Sequence, residues 1–278
     1  MAKVLIVGCG DLGTAIATRL QQNHEVIGLR QSNQQLPLGM HTVQADVTQP
    51  QTLNGLKKIN PNIIIYCIAA SAQTDENYQA SYVTGLKNII ATQSQNAHLQ
   101  HVFFVSSTRV YGQTTMELLD ESTPAIPVDF GGKRLLEAEN VLNDMPCKST
   151  SMRLSGIYGK GRVYLVNMAK DLAKWPKENH WSNRIHRDDA ANFIAFMVEK
   201  AANNQQVADL YIVTDDMPTQ QYEVLTWLAN RQNIDIANIY VPAVQSGKRL
   251  SNQRLRDTGF ELLYPNFQVG YGDILHNL

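Results

Sequence analysis

Short apolar runs recur along the chain, separated by stretches whose apolar residues fall three and four apart. Val4-Leu5-Ile6-Val7 is the first run, and it leads through a glycine cluster into Thr14–Leu20, which has helical apolar spacing. Glu25–Leu29 predicts a second strand and Thr42–Asp46 a short third. Asn62–Ile68 and His101–Val105 are so uniformly apolar that they predict strands buried on both faces of a parallel sheet. Helices are predicted between them over 76–95 and 133–142, the second with Leu135, Leu136 and Val141 on one face and charges on the other. Met152–Leu154 predicts a sixth strand. This alternation implies an α/β fold, a doubly wound parallel sheet with right-handed crossovers.

After residue 155 the pattern loosens, with glycines at 156, 159 and 161. Ala190–Lys200 and Gln221–Asn230 still read as helices and Leu210–Val213 as a strand, while the tail from Gly247 reads as loop and short helix. There is no internal repeat, and no Pro, Gly and Ser-rich linker separates independent domains. The expected organisation is a sheet domain over 1–155 and a smaller lobe over 156–278 interwoven with it, with 183–213 returning to the sheet.

Charge and cysteine content narrow the function. Twenty-four Lys and Arg against 25 Asp and Glu leave a net charge of −1, without the basic excess that nucleic acid or an anionic membrane demands. A small-molecule substrate is expected instead. Cys9, Cys67 and Cys147 are an odd number without paired spacing, which fits a reducing cytoplasm. The first apolar run is too short for a signal peptide or a membrane span, so a soluble, unexported protein is expected.

The cluster Gly8-Cys9-Gly10-Asp11-Leu12-Gly13, lying between a buried strand and a helix, has the form of a dinucleotide turn. Gly8 permits the tight turn, Gly10 lets the backbone approach a pyrophosphate, and Gly13 lets helix and strand pack closely. The backbone N–H groups that open the helix, from Asp11 through Leu12 to Gly13, together with its dipole, then hold the phosphates. Arg30 ends the second strand where an NAD-preferring enzyme places an acid, and Arg30 with Ser32 suits a 2′-phosphate. NADP is therefore expected, with NAD as the alternative. Asp46 and Val47 are placed to meet the adenine, and Ala69 and Ala70 to line the cofactor with small side chains.

Three later segments carry a family resemblance: Ser106-Ser107-Thr108-Arg109-Val110-Tyr111-Gly112, Gly156-Ile157-Tyr158-Gly159-Lys160-Gly161-Arg162, and Asn183-Arg184-Ile185-His186-Arg187-Asp188-Asp189-Ala190. With the glycine turn they resemble, over roughly residues 1 to 200, the NAD-dependent epimerase/dehydratase family, the extended and atypical short-chain dehydrogenases/reductases. The resemblance implies an NAD(P)-binding Rossmann domain and an oxidoreductase acting on a hydroxyl or carbonyl compound, such as a sugar derivative. It also implies a Tyr-x-x-x-Lys pair with an upstream Ser or Thr, the tyrosine moving the substrate proton while the nicotinamide exchanges hydride. Homodimers through the helices of about 76–95 and 133–145 occur in many relatives.

Ser107 matches the family serine. Where the tyrosine belongs, this chain reads Pro127-Val128-Asp129-Phe130-Gly131-Gly132-Lys133-Arg134, which puts Asp129 in its place if Lys133 is the lysine, or Phe130 if Arg134 is. Lys133 could still hold the nicotinamide ribose. Tyr82-Val83-Thr84-Gly85 stands where the family shows an Asn-led motif. Tyr111 and Tyr158 are candidates for the missing acid, and His186 beside Asp188 and Asp189 reads as a structural histidine rather than a metal ligand. The catalytic candidates are thus Ser107, Tyr111, Asp129 and Lys133. Two functions stay open: an enzyme of the epimerase/dehydratase type, or an NADP-binding sensor without turnover.

Overall fold

In the computed structural model, all residues except Gln35, Leu38 and Gly39 are described. The apolar runs become β1 (Lys3–Val7), β2 (Glu25–Arg30), β3 (His41–Gln44), β4 (Ile63–Tyr66), β5 (His101–Ser107), β6 (Lys148–Leu154) and β7 (Leu210–Val213). They form a seven-stranded sheet in the order β3-β2-β1-β4-β5-β6-β7. β1 pairs in parallel with β2 on one side, Val4 opposite Val26, and with β4 on the other, Val4 opposite Ile63. The α/β fold and its parallel sheet are as the alternation predicts. Because the chain winds outward in both directions from β1, the carboxyl ends of β1 and β4 open onto the switch point where such sheets bind ligands. Val4 to Val7 and Ile63 to Tyr66 are wholly buried, which is why their sequences are continuously apolar instead of alternating.

The glycine turn leads into α1 (Asp11–Leu20). Asp46 ends the third strand early by folding back: its carboxylate accepts from the Thr48 N–H at 2.9 Å and the Thr48 hydroxyl at 2.7 Å, an Asx turn that competes with the ladder.

The single helix predicted over 76–95 is in fact three pieces: α2 (Asp75–Tyr78), a π-helical stretch over Gln79–Thr84, and α3 (Gly85–Thr92). Tyr66, at the end of β4, donates its buried hydroxyl to the Ser81 carbonyl. A side chain inserted into the helical ladder opens it, and apolar spacing cannot reveal that. Gly85 makes the room, since a Cβ there would lie 2.5 Å from the Tyr66 hydroxyl and 2.7 Å from a Val47 methyl. α4 (Phe130–Val141) starts three residues ahead of the predicted 133 because Asp129 caps it, accepting from the Gly132 N–H at 2.8 Å.

Two units divide the chain. The first comprises Met1–Gly112, Ala125–Arg153 and Ala191–Tyr211 and holds the glycine turn and most of the sheet. The second comprises Gln113–Pro124, Leu154–Ala190 and Ile212–Leu278. Its strands are short: Gly156–Tyr158 runs parallel to Arg184–His186, and Asn179–Ser182 lies between Thr219–Gln220 and Val244–Gly247. Its own core gathers Val166, Trp175, Leu225, Leu228, Phe267 and Tyr271. Among the described residues no helix is long and apolar enough to cross a membrane.

Candidate functional site

The first unit sets its chemistry-bearing residues at the carboxyl ends of β1, β2, β4 and β5. Gly8 has φ +101°, and a Cβ on it would come within 2.6 Å of the Cys67 carbonyl oxygen, so only glycine fits. Its N–H and that of Cys9 both donate to the Leu29 carbonyl at 3.0 Å, which ties the turn to β2. At Gly10 a Cβ would meet nothing within 4 Å. Gly10 is also the N-cap of α1 and offers no side chain to the first-turn N–H groups. Backbone donors at a helix start, under an open glycine, fit a pyrophosphate.

Arg30 lies close to this turn. Burial pushes the Cys9 thiol up to about 12 even though the Arg30 charge pulls it down. The guanidinium donates to Gln34 Oε1 at 2.9 Å, while its buried Nε has no hydrogen-bond partner among the described residues. Ser32 is exposed two residues on. Asp46 is occupied: besides Thr48, its carboxylate accepts from Gln31 Nε2 at 3.0 Å and Gln49 Nε2 at 3.3 Å. Val47 is buried, and its carbonyl accepts from Asn88 at 2.8 Å. Ala69 is exposed, and the half-buried Ala70 donates its N–H to the Tyr82 hydroxyl at 3.3 Å.

Ser107 caps the short turn after β5, its oxygen accepting from the Arg109 N–H at 3.2 Å. A hydroxyl used as an acceptor keeps its proton to donate. Tyr111 and Asp129 are placed otherwise than a proton donor requires. Tyr111 is fully buried, and its oxygen accepts from Arg153 Nη1 at 2.7 Å in a network where Arg153 also pairs with Glu139 at 2.6 Å and Glu139 accepts from the Ser106 hydroxyl. Nothing of it reaches solvent. Asp129 is the cap of α4 and the partner of Arg109 Nε, 3.0 Å from each oxygen. Burial raises its pKa, but the Gly132 N–H and the Arg109 guanidinium outweigh that and hold the carboxyl below its ordinary value. It is an anion near neutral pH and an acceptor only. Phe130 has no hydroxyl. Lys133 is exposed on the first turn of α4, whereas Arg134 is committed to Asp75, at 2.7 and 2.9 Å, and to Glu137.

Sequence reasoning passed over Arg109. Its guanidinium lies against both rings of the edge-on Tyr78–Phe130 pair, 5.3 and 5.2 Å from their centroids, and donates to the Tyr78 hydroxyl at 2.9 Å. Gly132 is bare because a Cβ would sit 2.6 Å from the Arg109 carbonyl, and Gly131 faces the guanidinium itself, with Nη1 2.5 Å from where a Cβ would be. Two glycines in the first turn of a helix were the available signal of a close neighbour.

In the second unit His186 is buried, with Nδ1 accepting from the Asp188 N–H at 3.2 Å. Its ring lies 3.8 Å from that of Tyr264 and meets Tyr158 edge-on at 5.2 Å. Burial lowers its pKa, which keeps the ring neutral. Asp189 receives the Leu263 and Tyr264 N–H groups at 2.8 Å each, anchoring that loop. Tyr158 is buried under Gly270, and burial raises its phenol pKa. Nearby, burial lifts the Asp215 carboxyl to about 7 despite the Arg184 charge. Asp215 Oδ2 and Arg184 Nη1 are both buried without hydrogen-bond partners among the described residues.

A glycine turn at the switch point of a seven-stranded parallel sheet defines the dinucleotide-binding Rossmann class of fold. Residues 4–212 match the model of the NAD dependent epimerase/dehydratase family, and the chain belongs to that family. A provisionally assigned NAD-dependent epimerase/dehydratase from Methylobacillus flagellatus is 48% identical and superposes with a TM-score of 0.91 over 99% of this chain and 98% of that one. Two more distant structures share the fold. A dTDP-glucose 4,6-dehydratase from Bacillus anthracis in complex with NAD is 15% identical, with a TM-score of 0.78 over 97% of this chain and 94% of that one. A UDP-glucose 4-epimerase from Thermus thermophilus, also with NAD, is 19% identical, with a TM-score of 0.75 over 96% of each. No curated protein matches the chain.

Proposed function

We propose that this protein is an NADP-dependent oxidoreductase that works on a hydroxyl or carbonyl group of a small molecule, with sugar derivatives as the first class to try. The observation that carries the reading is the tie between the glycine turn and the end of β2, where the Gly8 and Cys9 N–H groups both donate to the carbonyl of Leu29, the residue before Arg30. The turn supplies backbone donors for a pyrophosphate. Arg30, at the end of β2, offers a cation to a 2′-phosphate, whereas the Asp46 carboxylate is taken up by Thr48, Gln31 and Gln49. A bound nicotinamide supplies or accepts a hydride with its electron pair. In this reading the Ser107 hydroxyl polarises the reacting oxygen through a hydrogen bond, and Lys133, exposed on the first turn of α4, holds ribose hydroxyls. Three free cysteines support a reducing, cytoplasmic setting.

A second reading, an NADP-binding sensor without turnover, is favoured by one observation: the segment that replaces Tyr-x-x-x-Lys offers an ionised cap, Asp129, and a phenylalanine. Calorimetric titration with NADPH and NADH tests both readings at their root. NADPH should bind more tightly than NADH, and Arg30→Ala should weaken NADPH about tenfold or more, the worth of a charge-assisted hydrogen bond. Equal or stronger NADH binding would overturn the NADP assignment. NADPH oxidation followed against aldehydes, ketones and keto-sugars then separates enzyme from sensor.

A further inference from the structure

Reduction of a carbonyl needs a proton for the oxygen as well as a hydride for the carbon. At the carboxyl ends of β4 and β5 most candidate donors fall away: Tyr111 is sealed in the Arg153 network, Asp129 is an anion, Phe130 has no ionisable proton, and Ser107, an aliphatic alcohol, polarises the reacting oxygen by hydrogen bonding without giving its proton up. We propose that Tyr82 supplies that proton, a role that rests on the reading of the first unit as a dinucleotide oxidoreductase.

Tyr82 lies in the π-helical stretch Gln79–Thr84, which the Tyr66 hydroxyl opens by taking the Ser81 carbonyl. Its phenol oxygen accepts the Ala70 N–H at 3.3 Å, in the loop that follows β4. Its own proton therefore remains, and no acceptor for it is found among the described residues. Its partner Ala70 lies in the loop at the carboxyl end of β4, and Ser107 ends β5, the strand that pairs with β4, Tyr66 opposite Phe104. The ring is held by Tyr78 at 5.1 Å and by an edge-on contact with Phe104 at 6.5 Å. The groups that act on it are Ala70, Tyr78, Cys67 and the Arg109 cation. Burial is the largest influence and raises the phenol pKa, against the Ala70 N–H and Arg109, which lower it. Tyr82 is thus neutral, and a donor, near neutral pH.

The step balances. As the carbonyl carbon gains hydride from a reduced dinucleotide, that carbon is reduced and the dinucleotide oxidised. The C=O π pair moves onto oxygen, which takes the proton from Tyr82, and the tyrosinate regains one from water.

The test is an ultraviolet titration of tyrosinate at 295 nm, with and without NADP⁺, in wild type, Tyr82→Phe and Tyr78→Phe. The oxidised nicotinamide is a cation, so in wild type one phenol should titrate about one pH unit lower when NADP⁺ is present. The shift should vanish in Tyr82→Phe and persist in Tyr78→Phe. A shift that survives Tyr82→Phe, or NADP⁺ binding that moves no phenol, overturns the proposal. Should Tyr82→Phe fold poorly, wild type alone decides: NADP⁺ binding at alkaline pH, followed in two buffers of different ionisation heat, must release protons, and its failure to do so overturns the proposal. Absence of any NADP⁺ or NADPH binding by calorimetry would defeat the parent reading and this one with it, whereas binding without a phenol shift defeats this one alone.

Discussion

Arg153 and Glu139 are both buried and answer each other's charge, with Ser106 and Tyr111 completing the network. Replacing Arg153 with Met leaves a carboxylate stranded in the core, and the expected loss of unfolding free energy is about 3–5 kcal/mol. The double variant Arg153→Met, Glu139→Leu should recover most of it, and urea unfolding of the three proteins measures both. Asp129 makes a pH prediction. Its folded pKa is depressed, so the stability it adds is present above the unfolded value of about 4 and is lost as pH falls through the folded one. Asp129→Asn keeps a good cap but should flatten that acid limb, seen in urea midpoints taken below pH 4. Ser107 and Arg30 could be placed from sequence because each stands at a fixed offset from a strand end. Tyr111 could not, since its burial depends on Arg153, a residue of another strand that no local pattern links to it.

At the scale of elements, the break between α2 and α3 has a consequence that propensity alone would misjudge. Alanine in place of a helical glycine ordinarily stabilises by about 1 kcal/mol. Gly85→Ala should destabilise by about 1–3 kcal/mol instead, because its Cβ would meet the buried Tyr66 hydroxyl and the backbone of Ala80; thermal unfolding against wild type gives the sign. β5 makes a second prediction through His101, buried on Phe103 and bonded to Thr150 at 2.9 Å. Burial, aided by Lys148, lowers its pKa to about 4. The unfolded chain binds that proton near pH 6.5 and the folded chain only near 4, so stability falls as pH drops through this window. His101→Gln should reduce that slope in a series of pH-dependent unfolding curves. Strands buried on both faces, such as β1 and β4, announce themselves by composition. The π stretch does not, because its cause lies on another element.

For the whole molecule, charge is the legible quantity. With a net charge of −1 and an isoelectric point near 6.7, self-repulsion is weakest close to neutrality. Solubility should pass through a minimum near that pH, and light scattering across pH 5 to 9 locates it. The sheet itself is not assembled in chain order. β6 ends at Leu154, and its outer neighbour β7 begins only at Leu210. During synthesis the β6 edge therefore stands open until more than fifty further residues have emerged, at a typical 5–20 residues per second about 3–11 seconds of exposure. An open parallel edge is a template for pairing with other chains, so the nascent protein is most vulnerable to aggregation, and most in need of a chaperone, in the interval between those two strands.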